Sequence, residues 1–142
     1  MSDPFDLERF VEAQAPVIAG VLRELREGRK RTHWMWFVFP QLKALGQSAK
    51  AQRFGIVSLD EARAYMAHPL LGPRLIECAT VVLAIQGRSA NAIFGESDDL
   101  KLLSCMTLFA AAVPGEPVFE QVIAEYYRGV RDSRTMDLVA PG

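Results

Sequence analysis

Both tryptophans and one of the two histidines of this chain fall within Arg29-Lys30-Arg31-Thr32-His33-Trp34-Met35-Trp36-Phe37-Val38-Phe39-Pro40-Gln41. An indole face can stack on a flat group, and an arginine fork matches the oxygens of a phosphate. His33 can hold or move a proton near neutral pH. Arg31, His33, Trp34 and Trp36 are therefore candidates for one wall of a ligand pocket. The same residue types also describe a core. In that case Trp34, Phe37 and Val38 pack inward, while Arg29, Lys30 and Arg31 complement the dipole at the end of a preceding helix.

A second cluster, Glu96-Ser97-Asp98-Asp99-Leu100-Lys101, puts three carboxylates at the start of an apolar segment. Neighbouring acids can drive one pKa upward and furnish an acid and a base, so Asp99 joins His33 as a catalytic candidate. The structural alternative has Ser97 as an N-cap, acids on the helix dipole, and Asp98 paired with Lys101 three residues on. Lys101, Ser104 and Leu108 share one helical stripe, and the hydroxyls of Ser104 and Thr107 need partners in apolar surroundings. They either bond carbonyls one turn earlier or line a pocket. Asp99, Lys101 and Ser104 are the candidates for its second wall.

Other chemistries find no support. There is no nucleophile elbow, Walker loop, dinucleotide fingerprint or zinc-helix motif. Cys78 and Cys105 lack the paired spacing of a zinc site or a disulfide framework, so buried, inert thiols in a reducing cytoplasm are expected. No metal and no cofactor is implied. His68, just before Pro69, is expected to cap carbonyls at a helix end.

The elements that must carry these residues are helices. Apolar residues recur at helical spacing almost throughout, and no sustained alternation marks a strand. A first helix begins near Asp6 and is broken or restarted at Pro16; the next places Val17, Val21 and Leu25 on one stripe and ends at Gly28. Gln47 to Gly55 reads as a loop or a short irregular helix. Ser58-Leu59-Asp60-Glu61 has the form of a capping box and opens a helix to about Ala67. Leu71, Leu75, Cys78, Val82 and Ile85 mark another helix, stopped by Gly87, and a short turn covers Ser89 to Phe94. The helix after Ser97 carries Leu102, Met106, Phe109 and Val113 and is apolar nearly all round, which predicts a central position. Pro117 suits the first position of a further helix that stops at Gly129, the tail from Arg131 adds one turn, and Pro141-Gly142 should fray.

Half the residues are hydrophobic and 23% are charged, as in a globular protein. The 142 residues suit one domain, 1–142, that buries about two-thirds of its unfolded surface. The expectation is an all-α, compact multihelical domain of about six to eight helices. Sixteen basic against seventeen acidic residues leave no global positive field, so neither nucleic acid nor a membrane surface is an expected partner. No signal-peptide pattern or membrane-length apolar run occurs, which again suits a cytoplasmic protein.

Several longer stretches carry a family likeness: Asp3-Pro4-Phe5-Asp6-Leu7-Glu8-Arg9-Phe10, Gly28 to Leu42, Ser58 to Tyr65, His68-Pro69-Leu70-Leu71-Gly72-Pro73-Arg74-Leu75, Ile93-Phe94-Gly95 and Asp99 to Phe109. In this order, and over nearly the whole chain, they resemble the uncharacterised bacterial family catalogued as domain of unknown function 1810. The resemblance implies a small, mainly helical, single-domain cytoplasmic protein and no particular activity or catalytic residue. Some members bear the label calpastatin, yet this chain has no disordered, inhibitor-like composition. Three functions stay open. The first is a module binding a small anionic or aromatic metabolite of the nucleotide or sugar-phosphate type. The second is a hydrolase or lyase of a nucleotide-derived or phosphorylated compound with His33 and Asp99 as acid and base, and the third a protein-interaction scaffold.

Overall fold

The computed structural model describes residues 3–140, and the expected fraying of Pro141-Gly142 lies outside them. Among the described residues every regular element is helical: α1 (Glu8–Gln14), α2 (Ile18–Arg26), α3 (Met35–Val38), α4 (Ala49–Phe54), α5 (Leu59–Ala67), α6 (Leu71–Ala84), α7 (Ala90–Phe94), α8 (Asp98–Ala112), α9 (Val118–Tyr127) and α10 (Ser133–Val139), with a 3-10 turn at Lys43–Leu45. The only pairing of extended backbone among the described residues is an isolated parallel bridge between Leu42 and Ile56. The all-α expectation holds. Ten helices exceed the expected six to eight because the aromatic segment, Gln47 to Gly55 and Ser89 to Phe94 each close a short helix of their own.

Local chemistry sets most of the boundaries. Ser48, Ser58, Ser89 and Asp132 each accept a hydrogen bond from the amide three residues on, satisfying a donor left free at the first turn of α4, α5, α7 and α10. Four expectations need correction. Glu61 does not reach back to Ser58; its Oε1 accepts from the Val57 amide at 2.9 Å, one residue earlier, and its Oε2 receives Arg9 at 2.9 Å. Ser97 makes no side-chain cap, because its φ of +76° departs from the extended conformation from which an N-cap hydroxyl reaches the third amide. His68 caps amides rather than carbonyls, its Nδ1 accepting from Leu70 N–H (3.1 Å) and Leu71 N–H (3.3 Å) at the start of α6. Pro117 stands just before α9 rather than at its first position.

The buried side chains form one continuous cluster reaching from Leu7 to Ile123. Helix α8 lies where its composition predicts, packed against α5, α7, α9 and α10 with Leu102, Cys105, Met106, Leu108 and Phe109 fully enclosed. Helix α6 completes the interior by packing on α2, α5 and α9. Phe10, Tyr65, Phe109 and Phe119 form an aromatic chain through the centre with successive ring centroids 5.1, 5.3 and 5.8 Å apart. Crossing it is a polar seam: Gln14 Nε2 donates to the Phe37 carbonyl at 2.6 Å and to the Tyr65 hydroxyl at 3.0 Å, tying α1 to α3 and α5.

The N-terminal corner is held by Arg9. Its guanidinium donates to the carbonyls of Phe5, Asp6, Arg53 and Gly55 and to the Glu61 carboxylate, and it covers the Phe10 ring at 4.3 Å. Glu61 is only 1% exposed, so this is a buried ion pair joining α1, α4 and α5. No helix among the described residues is long and apolar enough to cross a membrane.

Candidate functional site

The loop between α2 and α3 is shaped by a carboxylate that carries no signal in the sequence. Glu24, on α2, accepts from the amides of Arg31 (2.6 Å) and Thr32 (3.0 Å), from the Thr32 hydroxyl (2.6 Å) and from the Trp34 indole N–H (3.1 Å). Burial pushes its carboxyl up, but the four donors outweigh that effect and hold it at about 2. Glu24 therefore remains ionised and fixes the backbone that leads into α3.

This anchoring separates the two indoles. Trp34 is 1% exposed, its ring set against Phe39 (6.1 Å) and Phe94 (6.4 Å) and its N–H used by Glu24. It forms part of the core behind the surface, so the expectation that Trp34 lines a ligand pocket gives way to the packing alternative. Trp36, two residues on, is half-buried, with the ammonium groups of Lys50 at 4.7 Å and Lys101 at 5.5 Å over its ring.

The basic residues also divide. Arg31 is exposed and pairs with Glu27 one turn back. Lys30, whose side chain is 8% exposed, pairs with Asp98 at 3.0 Å, donates to the Thr32 carbonyl at 2.6 Å and lies 5.1 Å from the Trp34 ring. Asp98 also receives Lys101 at 3.3 Å. The two segments singled out in the sequence do meet, and the contact runs through Lys30, Asp98 and Lys101.

The two acid-base candidates do not share that contact. His33 is exposed, with no side-chain hydrogen bond among the described residues. The Asp99 carboxylate receives Asn91 Nδ2 at 3.3 Å and the amide of Leu100, and its backbone carbonyl receives the Tyr127 hydroxyl, which orients it toward α7 and α9. Neither residue lines the depressions described next.

Lys101 and Ser104 face an open cleft of about 300 Å³ whose other walls are Gln41, Leu45, Leu100, Asp132 and Arg134. Lys101 and Gln41 also border a narrow crevice lined by Met35, Trp36, Phe39, Ala51, Phe54 and Gly55. Both hydroxyls on α8 are occupied: Ser104 shares its one hydroxyl proton between the Leu100 carbonyl (3.2 Å) and Asp132 (3.1 Å), while Thr107 accepts from the Asp132 amide (3.0 Å). Asp132 caps α10 with the same carboxylate, so this network also fixes Arg134 at the cleft rim. Arg134 and Lys50 form no ion pair among the described residues. No group of three or more His, Cys, Asp or Glu side chains among the described residues could hold a metal ion.

Glu24, Lys50, Asp132 and Arg134 escape sequence inspection because nothing in their spacing marks them, while Lys30 and Gln41 stand inside the basic-aromatic stretch but take their places only in the fold. Asp98 was visible as a helix-start acid, and its pairing with Lys101 follows from their spacing. Its bond to Lys30 required the fold.

Comparison with known proteins gives relatives without an assigned role. No curated protein matches the chain. A crystal structure at 1.38 Å of the conserved hypothetical protein Rv1873 from Mycobacterium tuberculosis is 59% identical, with a TM-score of 0.97 over 99% of this chain and 100% of the other. The model of a protein family of unknown function, DUF1810, matches residues 4–139. With this match spanning nearly every residue, the chain belongs to the DUF1810 family.

Proposed function

We propose that this protein is a cytoplasmic binding module for a small anionic metabolite, of the nucleotide or sugar-phosphate type, and that the cleft beside Lys101 receives it. The reading is carried by one arrangement: Lys101 stands between the cleft and the Trp36 crevice, and Arg134 lies on the same cleft with its charge uncompensated. Two cations and the Gln41 amide around about 300 Å³ suit an anionic group of a ligand at the small end of the ~300–1,000 Å³ range of metabolite sites. The half-buried Trp36 edge is available to a flat moiety extending from that group.

Asp132 works against indiscriminate anion binding. Its carboxylate lies in the cleft wall but is engaged by Ser104 and Thr135, so it shapes the cleft and offers repulsion to a ligand that approaches from the α10 side. The acid-base alternative would need His33 and Asp99 on one ligand, and no observation favours it. Two free cysteines, both buried, accord with the cytoplasmic assignment.

A thermal-shift panel of nucleotides and sugar phosphates at low ionic strength tests the proposal. At least one compound should raise Tm in a concentration-dependent way, and the double variant K101Q/R134Q, compared with its own ligand-free Tm, should abolish the rise. A panel without any shift, or a shift that survives in K101Q/R134Q, would defeat it.

A further inference from the structure

From Arg29 to Val57 the chain has six lysines and arginines and no aspartate or glutamate, in a protein whose net charge is −1. Lys30 and Arg31 are neutralised by Asp98 and Glu27. Apart from Arg29 on the α2–α3 loop, the remaining charge is concentrated on the 3-10 turn and α4, where Lys43, Lys50 and Arg53 are all exposed and make no ion pair among the described residues. Two of them, Lys43 and Arg53, line an open groove of about 480 Å³ together with Phe5, Gln52 and Val57. Arg9 and Glu61 border the same groove but cancel each other, which leaves Asp6 as its one carboxylate not consumed by an ion pair.

We infer that this groove docks an acidic peptide segment with aliphatic residues among its carboxylates. The charge calls for an anionic partner, and the apolar groups decide its class. Val57, 59% exposed, lies beside the two cations, and the large hydrophobic side chains exposed on the described surface are all aliphatic. A single-stranded nucleic acid would need a series of exposed aromatic faces for its bases, whereas Phe54 is buried and the groove offers one ring, the half-buried Phe5. An extended peptide can set carboxylates against Lys43 and Arg53 and an aliphatic side chain against Val57. The Lys101 cleft is separate from this groove, so neither proposal depends on the other.

Fluorescence anisotropy with a labelled peptide of repeating Asp-Leu-Glu-Glu tests the inference on the full chain, alongside oligo-dT, an anionic phosphatidylserine vesicle and a peptide of Glu and Ser alone. The Asp-Leu-Glu-Glu peptide should bind best, weaken with added salt, and lose about tenfold or more in affinity in K43E/R53E. V57S should reduce its preference over the Glu-Ser peptide. The result is overturned if the peptide does not bind at low salt, if oligo-dT or the vesicle binds more tightly, or if K43E/R53E binds as the parent does. The charge-neutral variant K43Q/R53Q, with an unchanged melting curve, separates loss of docking from loss of folding.

Discussion

Replacing Glu24 with Gln should weaken the fold through the segment that presents Trp36, and pH should reveal the cause. Glutamine keeps the shape and leaves an oxygen where Oε1 accepts Arg31, Thr32 and Trp34, so the chief loss is charge. The four donors hold the Glu24 carboxyl at about 2 against an ordinary 4.5, and at ~1.36 kcal/mol per tenfold this bounds the stabilisation near ~3.4 kcal/mol. The group is only partly enclosed, and solvent screening reduces that bound to about 2 kcal/mol. Because the folded value is the depressed one, the contribution is complete above the ordinary value and is lost as pH falls from about 4.5 toward 2. Urea unfolding of the parent and E24Q should therefore give a gap of about 2 kcal/mol at neutral pH that narrows steadily below pH ~4.5. A gap that is absent at neutral pH, or one that stays constant through the acid range, would refute the reasoning.

Arg9→Ala strands the buried Glu61 charge and frees four carbonyls, so urea denaturation should show a loss of about 3–5 kcal/mol; less than ~1 kcal/mol would contradict a structural ion pair. Gly72 lets α6 pass close to the end of α5: a Cβ there would stand 2.1 Å from the Met66 carbonyl oxygen, and G72A should cost upward of ~1–3 kcal/mol. Gly20, inside α2 with nothing within 4 Å of a Cβ, provides the opposite case, and G20A should stabilise by up to ~1 kcal/mol in the same assay. Burial pushes the Cys78 thiol up to about 12 and Cys105 well above its usual value, so Ellman's reagent at neutral pH should label neither until denaturant is added.

Helix after helix was legible because it depends on short-range chemistry. The Ser58 start, the stop before His68, the turn after Val113 and the central place of α8 all follow from caps, prolines and apolar periodicity. Short helices such as α3 and α7 were not, since four or five residues carry too little period to show and are held by packing from outside. The site was legible only in outline. That Trp34 turns inward and Trp36 remains at the surface depends on Glu24, ten residues before Trp34, gathering the loop around its carboxylate. Likewise Lys101 and Ser104 share a helical stripe in the sequence, but their cleft needs Gln41 from one side and Arg134 from the other. Pairings between distant segments leave no spacing to read.

The proposed anion site is tested most directly by a two-dimensional ¹H–¹⁵N spectrum recorded while AMP and inorganic phosphate are titrated separately into the ¹⁵N-labelled protein. The two indole N–H signals give an internal comparison, because Trp34 is locked onto Glu24 in the core and Trp36 borders the crevice beside Lys101. Shifts should concentrate on Trp36, Gln41, Lys101 and Ser104, saturate with ligand, leave the Trp34 indole in place and vanish in K101Q/R134Q. Titrations that move none of these signals, or that move residues elsewhere equally in the parent and K101Q/R134Q, would contradict a site at Lys101.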